Sequence, residues 1–148
     1  MLSYRIDLTE DEDGSILVTS PDFPELTTFG DSKEHAALMA AGAIEEAIAA
    51  RMHAHQKLPR PASRQEAAKH KSHAVPLPAM TALKVGLYRA LLDSGLTRAE
   101  LARSLGWHRE QVDRLFRLNH ASQITQLEQA FAKLGSEIEI GIRKRTAA

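Results

Sequence analysis

The sequence predicts an α+β layer in the first half of the chain and an all-α unit in the second. Three patterns predict this order: apolar and polar residues alternate near the N-terminus, one stripe of helical period follows, and helical periods return after Pro78. The chain has 148 residues, 43% of them hydrophobic, which is enough for two small domains with buried cores. We expect these domains to be residues 1–78 and 79–148.

The first strands form a small antiparallel sheet in this prediction. Residues 2–8 alternate with a period of two, which is typical of a half-buried strand. Asp13-Gly14 favours a tight turn, after which residues 16–20 return as a second strand. Residues 26–29 provide a short third strand.

One amphipathic helix is expected next, capped by Asp31 or Ser32 and running to about His55. Its apolar positions recur at steps of three and four, which places them on one face. The residues predicted on this buried face are Ala37, Ala41, Ile44, Ile48 and Met52.

Residues 57–72 are predicted to be a loop or linker. Four of the six prolines lie between positions 59 and 78, and the polar stretch among them has no periodicity. Residues 73–77 are expected to add a short strand at the edge of the sheet, because Pro76 cannot donate a ladder hydrogen bond.

Four helices are predicted in the second half. The first carries Leu83, Leu87 and Leu91, and the last carries Ile124, Leu127, Phe131 and Leu134. Between them, residues 98–116 have the spacing of a helix-turn-helix. Ala102 is small where the two helices would cross, and Gly106 accepts the left-handed conformation of a sharp turn. An ordinary pair of helices is the alternative.

A helix-turn-helix presents the exposed face of its second helix to the DNA major groove. Arginine can bond guanine, glutamine can bond adenine, and glutamate can accept from cytosine. The candidates for base contact are therefore Arg109, Glu110, Gln111 and Arg114. The candidates for phosphate contact are Thr97, Arg98, Arg103, His108, Arg117 and Asn119.

The C-terminal residues Ile138, Ile140 and Ile142 alternate with polar residues, which predicts a strand inside a helical domain. Its backbone needs a ladder partner, and the same strand of a second copy would supply one in a two-fold dimer. Pairing within the same chain is the alternative.

Charge is distributed unevenly along a chain whose formal net charge is zero. Residues 1–50 hold eleven acids and two bases, whereas residues 51–78 carry +5 and residues 79–148 carry +4. This asymmetry indicates two partners of opposite charge. Two ordinary solvated surfaces are the alternative.

Several function classes are disfavoured. The chain has no cysteine, which excludes disulfides and thiolate chemistry. Residues 1–14 lack a signal-peptide pattern and no stretch is apolar enough to span a membrane, so we expect a cytoplasmic protein. Asp7 has no acidic partner of the kind a two-metal nuclease needs, and the spacing of His53 and His55 is not that of metal ligands. We expect no enzyme activity, no cofactor and no metal.

Two segments together resemble one known family. The opening SYRIDLTEDEDGSILVTSPDFPELTTFGDSKEHA is similar to antitoxins of the HicB family, and LTRAELARSLGWHREQVDRLFRLNHASQITQLEQAFAKLG resembles the helix-turn-helix of one branch of it. The resemblance covers nearly the whole chain and is weakest over residues 62–72.

This resemblance implies a degenerate ribonuclease-H-like front domain that binds HicA, a small basic toxin that cleaves messenger RNA, and covers its active site. It also implies that the second half represses its own operon as a dimer or a dimer of dimers on operator DNA. The candidates for toxin contact are Asp11, Asp13, Asp22, Phe23 and Glu25. A transcription factor whose front domain senses a small molecule is the alternative.

Overall fold

The computed structural model describes residues 1–146. Its first part contains the strands β1 (Ser3–Glu10), β2 (Ile16–Thr19), β3 (Thr27–Gly30) and β4 (His73–Pro76). They form an antiparallel sheet in the order β3-β2-β1-β4. The predicted hairpin and the predicted edge strand are thus confirmed, and Pro76 lies where only one neighbouring strand is present.

Helix α1 (Lys33–His53) covers the inner face of the sheet. Its buried stripe begins one residue earlier than predicted, because Ala36 and Ala40 face the sheet where Ala37 and Ala41 were expected. Ile44, Ile48 and Met52 are buried as predicted. The approach is close at Gly30, where a side-chain Cβ would lie 2.3–2.8 Å from atoms of Ala36. A larger residue at either position would push the helix off the sheet.

The prediction that residues 57–72 are an irregular linker is wrong. They contain α2 (Arg64–Lys69), which Ser63 and Glu66 begin with a reciprocal capping box. The segment is also bonded to the sheet, because the backbone N–H of Ala62 donates to the carbonyl of Ser3 at 2.9 Å. Residues 57–72 are therefore a packed part of the first half.

The second half consists of four helices: α3 (Ala79–Ser94), α4 (Arg98–Leu105), α5 (Arg109–Leu115) and α6 (Ile124–Lys133). All four lie where the sequence predicts them. Gly95 and Gly106 end α3 and α4 with positive φ angles of 72° and 68°, a conformation that glycine adopts without steric cost.

Helix α3 joins the two halves. The Tyr88 hydroxyl donates to the carbonyl of Gln56 at 2.6 Å, and the Arg89 guanidinium donates to the carbonyl of Pro59 at 2.7 Å. The Thr81 hydroxyl also donates to the Glu45 carboxylate on α1. Buried apolar residues of both halves form one continuous cluster, so the two predicted domains pack against each other.

Residues 136–146 carry no strand. The strand expected over residues 137–142 is thus absent from the single chain. Ile138 packs partly against the core, while Ile140 and Ile142 are 68% and 97% exposed. Pairing of this segment with a second copy stays a prediction.

Candidate functional site

Hydrogen bonds between residues close in the sequence form the start of α4 and the turn between α4 and α5. The Thr97 hydroxyl accepts a hydrogen bond from the backbone N–H of Glu100 at 3.1 Å, and the Glu100 carboxylate accepts one from the N–H of Thr97 at 3.3 Å. Gly106 then turns the chain, and the N–H of Trp107 donates to the carbonyl of Ala102 at 3.0 Å. The inward side chains are buried: Leu101, Ala102, Val112 and Leu115. The opposite face of α5 is consequently left to solvent.

Three of the four candidates for base contact lie on this solvent face. The side chains of Arg109, Glu110 and Arg114 are 56%, 53% and 50% exposed. Gln111 differs, because its side-chain oxygen accepts from the backbone N–H of His108 at 2.8 Å and so caps α5. Its amide has a structural role in this conformation.

Acidic residues of α5 pair with the exposed arginines. Arg109 Nε lies 3.1 Å from an Asp113 carboxylate oxygen, and Arg114 Nε lies 3.6 Å from one of Glu110. Arg117 Nη1 approaches the same Glu110 oxygen at 3.2 Å. Exposed pairs of this kind contribute about 0–1 kcal/mol each, so another anion can replace the carboxylates at low cost.

The candidates for phosphate contact divide into two groups. Arg103, His108, Arg117 and Asn119 are exposed. Arg98 is only 20% exposed, because its guanidinium lies 4.6 Å above the Phe116 ring and 3.5 Å from Asp113. Thr97 is exposed but caps α4. The first group is therefore better placed to meet a phosphate backbone than Arg98 is.

A buried lysine, which sequence analysis missed, holds the end of α5. Lys84 of α3 is 0% exposed, and its Nζ donates to the carbonyls of Arg114, Arg117 and His120 at 3.1, 2.5 and 2.6 Å. Carbonyls at a helix C-terminus lack helical partners and carry partial negative charge, which an ammonium group satisfies. Burial of the ammonium group lowers the pKa of Lys84 to about 8. The one signal in the sequence is its position four residues before the buried Tyr88, on the same face of α3.

An open cleft of about 870 Å³ separates α1 from α5. Its α1 side carries Glu45, Glu46 and His53, and the facing side carries the predicted DNA-contact residues Arg98, Arg109, Arg117 and Asn119. The sequence pattern does not place these two sets of residues together, because their proximity depends on how α3 packs against both halves. The DNA candidates thus share one surface region with the acidic side of α1.

The candidates for toxin contact at the β1–β2 hairpin are exposed. Asp11 and Asp13 lie in the turn, next to the exposed Glu10 and Glu12. Asp13 also shapes the turn, because its carboxylate accepts from the N–H and the hydroxyl of Ser15 at 2.9 and 2.6 Å. These hydrogen bonds to the carboxylate lower the pKa of Asp13.

Phe23 is not on the surface, and its prediction as a contact residue is wrong. Its side chain is 0% exposed, since it packs edge-on against Tyr4 with ring centroids 4.9 Å apart. The Arg51 guanidinium closes over it, 5.0 Å from the ring centroid. Phe23 is therefore a core residue.

Asp22 and Glu25, on either side of Phe23, are both held by arginines. The Asp22 side chain is only 5% exposed and accepts three hydrogen bonds from Arg5, at 2.6–3.0 Å. This leaves little of the carboxylate for a partner. Glu25 is 48% exposed, and its bidentate pairing with Arg51 at 2.8 and 2.9 Å lowers the pKa of its carboxyl group. Of the two, only Glu25 is accessible.

Residues 1–146 hold no group of three or more acidic or histidine side chains placed to bind a metal ion. Within the same range, no helix combines the length and apolar character needed to cross a membrane. The structure thus combines an α+β layer whose residues 1–50 are acidic with a helical unit that exposes arginines on α5.

Comparison with known proteins gives the family. A family profile described as "HicB_like antitoxin of bacterial toxin-antitoxin system" matches residues 3–86. A protein named "Antitoxin HicB" from Pseudomonas fluorescens is 38% identical over 143 residues, which cover 96% of this chain and 94% of that protein. "Antitoxin HicB 1" from Photorhabdus laumondii is 31% identical, covering 95% of this chain and 87% of that protein. "Antitoxin HicB" from Escherichia coli K12 is 30% identical, covering 94% of this chain and 98% of that protein.

The chain therefore belongs to the HicB-like antitoxin family, as the two sequence segments predicted. Its relatives in this family are named antitoxins, which supports a non-enzymatic role. The matches to the relatives extend through the second half, whereas the family profile ends within α3.

Proposed function

We propose that this chain is the antitoxin of a bacterial toxin–antitoxin pair and neutralises a HicA-type toxin that cleaves messenger RNA by covering its active site. The observation that carries the proposal is the similarity to proteins named antitoxin HicB over 94–96% of the chain. The charge of residues 1–50 supports it, because an enzyme that binds RNA presents cations to the phosphates.

The second proposed activity is repression of its own operon. In this proposal α4 and α5 act as a helix-turn-helix and the N-terminal part of α5 enters the major groove of operator DNA. Support comes from the exposure of Arg109 and Arg114 and from the surface ion pairs that phosphates or bases can replace. Both activities would take place in the cytoplasm, where messenger RNA and operator DNA are found in bacteria.

The proposed DNA-binding form is a homodimer, or a dimer of such dimers, because one short reading helix contacts only a half-site. The exposed Ile140 and Ile142 support pairing of the C-terminal segments, since an isolated chain leaves these apolar side chains in water. Removal of residues 136–148 should convert the dimer to a monomer in analytical ultracentrifugation and weaken operator binding. An unchanged dimer would show that the subunits associate through another surface.

This proposal expects a short open reading frame next to this gene, and co-expression with its product tests the antitoxin role. We expect that product alone to arrest growth and degrade messenger RNA, and the full-length chain to restore growth and co-purify with it. A product that is harmless alone, or that remains toxic in the presence of this chain, would contradict the proposal.

A further inference from the structure

The outer face of the sheet, which points away from α1, is covered on one side only. Over β1 and β4 it is bonded to residues 62–72: the Ser3 hydroxyl donates to the carbonyl of Ala62 at 2.5 Å, and the Ser72 hydroxyl donates to the Asp7 carboxylate at 2.6 Å. Both Ser3 and Asp7 are outward positions of β1, since Tyr4 and Ile6 between them are buried.

The other side of the same face, over β2 and β3, carries an exposed apolar pair. Phe29 is 52% exposed, and Leu17 is partly exposed directly opposite it in the strand register. Thr9 lies opposite Leu17 on β1, so the three residues form one row across the sheet. Side chains at directly opposite positions have Cβ atoms about 4.5–5.5 Å apart, which makes Leu17 and Phe29 one continuous apolar patch.

Polar and acidic residues surround this patch. Thr19 and Thr27 form the next row on the same face. In the other direction along β2, Ser15 at the hairpin is two residues from Leu17, a distance of about 7 Å. The exposed acids of that hairpin are Glu10, Asp11, Glu12 and Asp13. An aromatic centre with a polar and charged rim is the composition of a protein–protein interface.

We propose that this patch, the Leu17–Phe29 face, is where the toxin docks. The inference rests on the proposed antitoxin function and adds to it the surface used. The partner it fits is a protein whose RNA-binding surface carries lysine or arginine side chains next to an apolar residue. The cations would lie at the rim, within the electric field of the hairpin acids, and the apolar residue would pack on Phe29, since aromatic side chains near the centre of an interface carry much of the binding energy.

Other exposed apolar side chains do not share this setting. Leu38 is 71% exposed on α1, which covers the inner face, so Leu38 is not on the outer face of the sheet. It is therefore a matched control: a large apolar side chain, similarly exposed, that a partner on the Leu17–Phe29 face would not touch.

The test compares toxin binding by three variants of the full-length chain, using purified toxin and isothermal titration calorimetry. Phe29→Ser removes the aromatic centre, and Thr27→Arg places a positive charge on the same face without truncating an apolar side chain. We expect each to weaken binding by at least tenfold. Leu38→Ser should bind within twofold of wild type, and all three should keep wild-type affinity for operator DNA.

The possible outcomes separate the inference from the function on which it rests. If wild-type protein binds the toxin and both Phe29→Ser and Thr27→Arg bind it equally well, the docking surface lies elsewhere, although the antitoxin proposal stands. If the wild-type chain does not bind the toxin, the antitoxin proposal itself fails. Thermal unfolding of each variant distinguishes lost contact from lost structure, and Thr27→Arg decides the question if Phe29→Ser proves unstable.

Discussion

The two charged surfaces of this molecule hold their charges differently. At the hairpin, Glu10, Asp11 and Glu12 take part in no ion pair found within residues 1–146. On α5, by contrast, Arg109 and Arg114 each lie within 4 Å of an acid on the same helix. Unpaired charges create a field that extends into solvent, whereas paired charges largely cancel beyond a few ångströms.

This difference indicates how each surface would recognise its partner. The hairpin can attract a cationic protein before contact, which raises the association rate. The arginines of α5 must exchange an existing partner for a new one, so they favour a ligand whose acceptors match their positions. Three measurements test this difference between the two surfaces.

Sequence recognition by α5 should respond most strongly to mutation. Arg114→Ala should weaken operator binding by about 10- to 100-fold, or about 1–3 kcal/mol, if the guanidinium makes two hydrogen bonds to a guanine. Affinity for random DNA should fall much less, because a specific base contact contributes little to binding there. Fluorescence anisotropy at one fixed salt concentration measures both affinities.

Two variants control this result. Arg60→Ala removes an 86% exposed arginine from the first half and should leave operator affinity unchanged. Glu110→Gln releases both Arg114 and Arg117 from their shared carboxylate, so it should tighten binding to random DNA a few-fold. Equal losses on operator and random DNA for Arg114→Ala would show a phosphate contact instead.

The second prediction concerns Lys84, which holds the end of the arginine-bearing helix α5. Lys84→Met leaves the carbonyls of Arg114, Arg117 and His120 without their donor, and it also removes the cost of burying an ammonium group. Because three carbonyls lose their donor, we expect this loss to outweigh the saved cost of burying the ammonium group. The free energy of unfolding should therefore fall by about 1–3 kcal/mol. Urea denaturation followed by circular dichroism measures the loss.

The matched control is Lys69→Met on α2, where the side chain is exposed and little change is expected.

The pH dependence of stability supplies a second check. The pKa of Lys84 is about 8 in the folded protein, and the ordinary value for a lysine, 10.5, applies in the unfolded chain. Between these two pH values the unfolded chain therefore binds one proton more than the folded protein does. The stability of wild type relative to Lys84→Met should therefore rise as the pH increases from 8 to 10. A relative stability that falls over this range would mean that the ammonium form is the one the fold prefers.

The weakest response is predicted at the hairpin, where the change is in the association rate. Replacing Glu10, Asp11 and Glu12 with their amides should lower the association rate with the toxin by up to about tenfold at low salt and leave the dissociation rate nearly unchanged. Stopped-flow fluorescence at two salt concentrations tests this. A change confined to the dissociation rate would show that these acids form close contacts instead of acting at a distance.

The parts of the fold that local chemistry determines were predictable from the sequence. Thr97 and Glu100 begin α4 and Gly106 ends it. The hydrogen bonds of each residue reach only a few positions along the chain. Helix α2 carries an equivalent signal in Ser63 and Glu66, which sequence analysis overlooked because the prolines and polar residues around it indicated a loop.

Exposure of individual side chains was harder to predict, because it depends on contacts between distant parts of the chain. Phe23 follows a polar turn and was expected on the surface, but Tyr4 and Arg51 enclose it. Lys84 was not singled out because lysine is rarely buried, and its three acceptors lie 30 or more residues away. The one-residue shift in the stripe of α1 has a similar origin, since the sheet selects the helix face that Gly30 can approach.

Helix α3 is bonded to both halves at positions five residues apart. Arg89 donates to the Tyr4 hydroxyl on β1 at 3.1 Å, and Lys84 holds the end of α5, with about 7.5 Å of helix between them. A helix of this length behaves as a rigid spacer, so the sheet and α5 keep a constant separation and orientation. The Leu17–Phe29 face points away from α1, whereas Arg109 of α5 lines the cleft that α1 borders, so a toxin and a DNA duplex bound as proposed would be held at a fixed spacing by this one helix.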